Sequence, residues 1–346
     1  MTTQKALWLK KVFGEFTLGT NPVPHPGTGE VLVKLEASAL NPADWKVQKF
    51  GLQLVKKYPA VIGADGAGVV EQVGEGVNNF VKGDKIFFQS SFETDYATFQ
   101  QYCLAAADVA AKIPDNISFD EAASVSSGIM APAVAFYGQR PHGFAIAPPF
   151  EQGGIGKYSD QPFVVMGGAS SLGQYAIQLA KLSGFSPIIT TASLHNKDLL
   201  LSLGATHVID RNLPATALHE EVAKITSTPV SFAFDAVSLG DTQQVAYDLL
   251  APGGQLALVL ASQIKEQERS GKLVVKVFGS FHPPYNRLLG VQFMEALSNW
   301  LAEGKVKPNV VEVLAGGLDG VANGLKRLEN NAVSGRKLVV RPFETV

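Results

Sequence analysis

A single cysteine, Cys103, stands in a chain of 346 residues, which excludes an intrachain disulfide and every zinc site built on several thiolates. Its neighbours, Tyr102, Leu104 and Ala105, form an apolar strand-like run with no activating base nearby in sequence. A buried structural thiol is expected there, not a nucleophile. Histidine is also scarce, with six residues scattered without metal-ligand spacing. Charge is low, at 17% Asp, Glu, Lys and Arg with a formal net charge of -2, and the basic residues are spread along the chain. No global field recruits nucleic acid or an anionic membrane surface. No apolar run approaches the roughly 20 residues that span a bilayer, and Thr2-Thr3-Gln4-Lys5 is not followed by a signal-type apolar core. A cytoplasmic protein is expected.

What is present is apolar material and turns, with 46% hydrophobic residues and 34 glycines. Single cores rarely grow beyond about 250 to 300 residues, so two domains are expected. The first third reads as strands and turns, with alternating β-branched residues over 31–37 and glycines punctuating 63–83. Ser118 and Glu121 are spaced as a capping box that opens a helix. Between 139 and 161, prolines and glycines (Pro141, Pro148, Pro149, Gly153, Gly154, Gly156) mark a loop.

A strand–helix alternation then begins. Strands over 163–166, 187–191, 207–210, 231–235, 255–260 and 272–278 are interleaved with helices near 172–183, 197–203, 217–225 and 241–250. Repeated units of this kind imply right-handed crossovers and a doubly wound parallel sheet. The tail, with a long helix from about 286, a strand at 310–314, a short helix near 318–328 and a strand at 337–341, exceeds that sheet. It is expected to return to the first domain.

The stretch Gly167-Gly168-Ala169-Ser170-Ser171-Leu172-Gly173 ends the first of these strands and opens a helix, which is the context of a dinucleotide-binding turn. Backbone N–H groups at a helix N-terminus suit a pyrophosphate. Gly168 is expected to make the tight turn and Gly173 to allow close helix–strand packing. Ser170 stands where the usual pattern has its middle glycine, and its hydroxyl is available as a donor. The second strand ends in Ser193-Leu194-His195-Asn196 with no Asp or Glu until Asp198. A carboxylate there would select the 2′-hydroxyl of NAD, whereas hydroxyl, imidazole and amide groups accept a 2′-phosphate. NADPH is expected, although the same four residues also read as a plain turn and cap. Val237, Leu260, Phe278 and Gly279, beyond later strands, complete the candidate cofactor-binding set.

The run from Gly63 to Gly74, Val81-Lys82-Gly83-Asp84, Gly253-Gly254-Gln255-Leu256 and the closing Gly335-Arg336-Lys337-Leu338-Val339-Val340 resemble, in order, the signatures of the medium-chain dehydrogenase/reductase superfamily. The resemblance implies a GroES-like, mainly β catalytic domain from residues 1–130 and 287–346 around a Rossmann domain at 131–286. Zinc members carry a cysteine and a His-Glu pair where this chain has Asn41 and Ala64-Asp65, so no metal site is expected. Asn41-Pro42-Ala43-Asp44-Trp45-Lys46 is similar to the zinc-free quinone and enoyl reductase branch. Ser193 to Asn196 and Leu182-Ser183-Gly184-Phe185 look most like the fungal trans-acting enoyl reductases of polyketide pathways, which reduce a double bond conjugated to a thioester.

By that resemblance Asn41 and Lys46 face the cleft as candidate catalytic residues. Lys46 either stabilises the enolate oxygen or is a solvated surface group; Asn41 either serves the cleft or binds local backbone ahead of Pro42; Asp44 is expected to cap or fix the turn. Tyr58 is either a proton donor or packing, and Ile129 and Met130 are expected to line a substrate pocket. The implied substrate is a small molecule or an acyl thioester, with a carrier protein or synthase as a further partner and a monomer or homodimer as the state. Rival readings are a quinone oxidoreductase, an alcohol dehydrogenase-like enzyme and a non-enzymatic NADPH-binding protein.

Overall fold

The computed structural model describes residues 2–52, 54–265 and 271–346. In chain order its elements are β1 (Thr3–Leu9), β2 (Phe16–Pro22), β3 (Glu30–Ala39), α1 (Pro42–Phe50), β4 (Ala60–Val61), β5 (Asp65–Val73), β6 (Lys85–Gln89), β7 (Tyr102–Ala106), β8 (Ala110–Lys112), α2 (Phe119–Ala123) and α3 (Ser126–Tyr137). There follow β9 (Phe163–Met166), α4 (Ser171–Ser183), β10 (Ile188–Ala192), α5 (Lys197–Leu203), β11 (His207–Asp210), α6 (Ala215–Ile225), β12 (Val230–Asp235), α7 (Gly240–Leu249), β13 (Leu250–Leu258) and β14 (Leu273–Lys276). The chain closes with α8 (Pro284–Ala302), β15 (Val310–Val313), α9 (Gly320–Glu329) and β16 (Arg336–Val340).

Two compact units result. The first comprises Met1–Ser127, Met294–Glu303 and Pro308–Val346; the second comprises Gly128–Phe293 and Gly304–Lys307. In the first, a sheet runs β15-β16-β3-β5-β6-β8 with β7 paired to β3, and a smaller sheet runs β2-β1-β4. The C-terminal β16 pairs antiparallel with β3, Val339 opposite Ala39, so the two ends of the chain share one sheet. Cys103 sits in β7, fully buried among Val33, Phe88 and their neighbours, and burial pushes its thiol well above the usual range. It is the inert structural cysteine that its apolar run implies.

The second unit carries a six-stranded sheet in the order β11-β10-β9-β12-β13-β14, all of its pairs parallel. The order reverses at β9 and β12, and at such a switch point the carboxyl ends of the strands leave a crevice. β9 and β10 are buried along their whole length, which explains their continuous apolar composition without alternation.

The structure departs from the sequence reading in three places. Residues 42–50 form a helix within the stretch read as strands and turns: Pro42 occupies its first turn, Asp44 accepts from the Asn41 N–H at 2.7 Å, and Gly51 closes it with φ 73°. The helix opened by Ser118, whose capping box forms as spaced, breaks at Ser124. Its Oγ bonds back to Glu121 O at 2.6 Å, and the chain restarts as α3. Strand β13 begins at Leu250, ahead of the Gly253-Gly254 turn. Among the described residues no helix is long and apolar enough to cross a membrane.

Candidate active site

In the parallel-sheet unit the turn between β9 and α4 is held from β10. Gly167 N–H donates to Thr191 Oγ1 at 3.1 Å and Gly168 N–H to Thr191 O at 3.0 Å. The positive φ, 75°, belongs to Gly167, so the tight turn lies one residue earlier than the sequence suggested. Gly168 is needed for a different reason: a Cβ there would lie 2.1 Å from Thr190 Oγ1. Gly173 fulfils its expected role, since its Cβ would fall 2.3 Å from Gly167 O. Ser170 is the N-cap of α4. Its hydroxyl accepts from Gly173 N–H at 3.1 Å and donates to Gly167 O at 2.8 Å, so the proton that suggested a phosphate donor is committed inside the turn. Ala169, Ser171 and Leu172 complete the turn, half-buried at the N-terminus of α4.

Gly168→Ala is expected to destabilise the protein by about 1–3 kcal/mol, because the added methyl must displace the Thr190 hydroxyl, itself bonded to Val165 O at 2.8 Å. Urea unfolding checks this. An unchanged midpoint would mean that the turn relaxes around the methyl.

The other cofactor candidates lie in the same unit as this turn. Val237 covers it, its Cγ2 lying 2.4 Å from where a Gly167 Cβ would be. Buried Asp235 shapes that loop, accepting from Val237 N–H at 2.9 Å, Ser238 N–H at 2.8 Å and Thr242 Oγ1 at 2.7 Å. Burial pushes its carboxyl upward against those bonds. Gly279 backs onto α3, where a Cβ would meet Ala131 Cβ at 2.6 Å. Leu260 is half-buried and Phe278 is 50% exposed. After β10, residues Leu194–Asn196 make a single 3-10 turn, with Ser193 ahead of it, His195 exposed and Asn196 buried. Asn196 Nδ2 lies 3.1 Å from His195 Nε2. Ile129 and Met130 are fully buried in α3. Their neighbour Gly128 faces the start of α4, where a Cβ would sit 2.5 Å from Ser171 Oγ.

In the mixed-sheet unit Asn41 belongs to a buried polar knot. Its Nδ2 donates to Asp65 Oδ2 at 2.8 Å, and its Oδ1 accepts from Lys337 Nζ at 2.6 Å. Lys337 also pairs with Asp65 at 3.2 Å, the two side chains being 5% and 0% exposed. Asp65 Oδ1 accepts the Ser127 N–H at 2.8 Å. The Asn41 side chain thus reaches across the fold instead of bonding local backbone. Asp44, fixing the turn through Asn41 N–H, is fully buried and its Oδ1 has no partner. Desolvation, chiefly, pushes its carboxyl up to about 7.

Lys337 and Asp65 were not singled out as a pair by the sequence, although a lysine in the apolar strand Arg336–Val340 is an unusual buried charge. Thr190 and Thr191 were likewise missed; a pair of hydroxyls at the end of a buried strand was their only signal. Lys46, on α1, is half-buried with Nζ 5.6 Å from the Trp45 ring centre, and burial lowers its pKa. Tyr58 packs partly buried against the core around Val47 and Val61. Its hydroxyl has no partner, and burial raises its pKa.

Zinc takes three or four N, S or O ligands. At Asn41, Ala64 and Asp65 the chain offers one amide, one methyl and one carboxylate already engaged by an ammonium, and among the described residues no group of three His, Cys, Asp or Glu could hold a metal. This donor set does not suit zinc.

Residues 27–115 match the alcohol dehydrogenase GroES-like domain and residues 171–281 the zinc-binding dehydrogenase domain. The trans-enoyl reductase ACTTS2 of Alternaria alternata is 32% identical over 99% of this chain and 99% of its own. The quinone oxidoreductase of Coxiella burnetii shares the fold at TM-score 0.74 and 24% identity, covering 98% of this chain and 99% of its own. Crotonyl-CoA carboxylase/reductase AntE, solved with NADP, does so at TM-score 0.77 and 16% identity, covering 98% and 94%. The chain is therefore an oxidoreductase of the medium-chain dehydrogenase/reductase superfamily and belongs with the fungal trans-enoyl reductases.

Proposed function

We propose that the protein transfers hydride from NADPH to the carbon–carbon double bond of an enoyl thioester or related α,β-unsaturated carbonyl, without zinc. The observation that carries this reading is the knot of Asn41, Asp65 and Lys337, which places an internal ammonium among the side chains at the metal-site positions. Alcohol oxidation needs a strong Lewis acid or a positioned base. Conjugate reduction asks only for hydrogen bonds to an enolate oxygen. The names of relatives such as ACTTS2 agree with that chemistry.

The turn 167–173, the N-terminus of α4 and Val237 are the proposed cradle of the cofactor's pyrophosphate, with Ser193, His195 and Asn196 at the 2′-phosphate. Leu260, Phe278 and Gly279 are proposed as further cofactor contacts, and Ile129 and Met130 as apolar backing of the substrate pocket. When bound, the nicotinamide supplies the hydride. As it reaches the β-carbon, charge develops on the thioester oxygen, and the Lys46 ammonium stabilises it there. Its lowered pKa makes it the readier donor. The Tyr58 hydroxyl, protonated and without a partner, is the candidate to protonate the α-carbon. Asn41 acts through the knot, setting the start of α1.

The test is turnover of a crotonyl thioester of N-acetylcysteamine, with the product identified by mass spectrometry and a chelator present. Expected are the saturated thioester, at least about tenfold preference for NADPH over NADH, and no chelator effect. Lys46→Ala should lower kcat by roughly a hundredfold, the worth of one ~3 kcal/mol hydrogen bond to the oxyanion, with NADPH affinity unchanged. Turnover of quinones alone would reassign the protein to that chemistry; no NADPH consumption on any acceptor would leave a binding protein.

A further inference from the structure

Two loops follow the carboxyl ends of β12 and β13, neighbouring strands on one side of the switch point at β9. Residues 236–239 lead into α7, and residues 259–264 follow β13. Their tips are exposed at Leu239, Ala261, Ser262 and Gln263, so apolar packing does not fix them. Buried polar side chains do. Gln243, near the start of α7, is fully buried. Its Nε2 donates to Ser238 O at 2.8 Å and to Ala261 O at 3.0 Å, and its Oε1 accepts the Gln263 N–H at 2.7 Å. One carboxamide thus joins the main chains of both loops.

Ser238 supplies a second link. Its Oγ accepts the Val259 N–H at 2.9 Å and donates to Asp235 O at 2.7 Å. The residue is fully buried and sits in the left-handed region, at φ 52°. Strain of this kind persists where the surroundings over-determine it, and it gathers at functional sites. The Gln243 position calls for a neutral group that donates twice and accepts once, which is a carboxamide. A carboxylate would face two carbonyl oxygens, and an apolar side chain would leave three main-chain groups without these partners.

The linked loops carry Val237 and Leu260, two of the cofactor contacts proposed above. A dinucleotide with its 2′-phosphate at the end of β10 and its pyrophosphate at the turn after β9 extends its other half over β12 and β13, in the order of the sheet. We propose that Gln243, seconded by Ser238, is the positioning residue for the nicotinamide half of the cofactor, locking the two loops so that Val237 and Leu260 stand ready to receive it. The proposal rests on the NADPH reading. Both residues act through the loops. Without the lock the loops spread over several arrangements, and affinity falls by the fraction that remains competent. The adenosine half, at β9 and β10, does not feel the change.

The experiment titrates NADPH and adenosine 2′,5′-bisphosphate, which carries the adenosine half and the 2′-phosphate alone, into wild type, Gln243→Met and Ser238→Gly by calorimetry. Met keeps the volume of Gln without its bonds, and Gly accepts the left-handed backbone while removing the hydroxyl link. Both variants should bind NADPH about tenfold more weakly, as a competent fraction of about one tenth requires, and the bisphosphate as tightly as wild type does. With the crotonyl thioester of N-acetylcysteamine, KM for NADPH should rise by the same factor and KM for the thioester should not change. Should Gln243→Met fail to fold, Ser238→Gly decides the matter. NADPH affinity unchanged in a folded variant, or equal losses on NADPH and the bisphosphate, would overturn the proposal. A wild type that binds neither ligand would overturn it together with the NADPH reading. A wild type that prefers NADH, with variants weakened on NADH but not on adenosine 5′-monophosphate, would uphold the lock and refute only the NADPH reading.

Discussion

Lys337→Met is expected to destabilise the protein by about 3–5 kcal/mol, the cost of breaking a buried ion pair by removing one partner. The lysine stem fits the apolar strand Arg336–Val340, and Met preserves that packing, so the effect isolates the charge. What remains is the fully buried Asp65 carboxylate, holding Asn41 Nδ2 and Ser127 N–H but no cation, while Asn41 Oδ1 loses its donor. The loss spreads because the knot ties four distant chain positions: 41, 65, 127 and 337. Lys337→Met/Asp65→Asn should recover part of the stability, since a neutral amide does not need the ammonium. Urea unfolding at neutral pH, with the m-value compared, is the measurement. A loss below about 1 kcal/mol would mean that the charge is solvated and the knot is not a dry ion pair.

The second large effect is a pH dependence centred on Asp44. Its carboxyl is raised to about 7 from 3.8 because burial disfavours the charged form and Oδ1 has no partner. For an acid whose folded pKa is raised, the folded state binds more protons between the two values, so stability falls as pH rises from about 4 to about 7 and levels off above. A shift of this size corresponds to at most about 4 kcal/mol. Asp65 opposes ionisation and Lys337 favours it. Asp44→Asn keeps a carbonyl oxygen for the Asn41 N–H but cannot ionise. The stability difference between variant and wild type should therefore shift in the variant's favour by up to about 3 kcal/mol between pH 4.5 and pH 8. Parallel pH profiles for the two proteins would mean that Asp44 titrates as an ordinary carboxylate.

Several features were legible in the residues because they are local. The alternation of short apolar strands with capped helices over 163–278 specifies a parallel doubly wound sheet, since each unit carries its own period and punctuation. The Ser118–Glu121 box and the structural nature of Cys103 are of the same kind. Helix α1 was missed because nine residues with Pro42 at the start present too short a period. Its formation depends on Asp44 capping Asn41 N–H and on packing against α9 and the core around Val47.

The glycine turn was legible as a motif but not in its division of labour. Which glycine takes the positive φ depends on where Thr191 of the neighbouring strand pins the backbone, and which must lack a Cβ depends on Thr190. Asn41 was legible as a departure from the zinc pattern, but its partners lie 24 and 296 residues away. By itself the sequence determined the fold class, the family and the position of the glycine turn, because these rest on periodicity, caps and contiguous motifs. Only the tertiary structure decided that Lys337 and Asp65 close a buried ion pair on Asn41 and that the turn at Phe13 is hydrogen-bonded to α1. Such charges and contacts are set by long-range strand pairing, to which no local pattern responds.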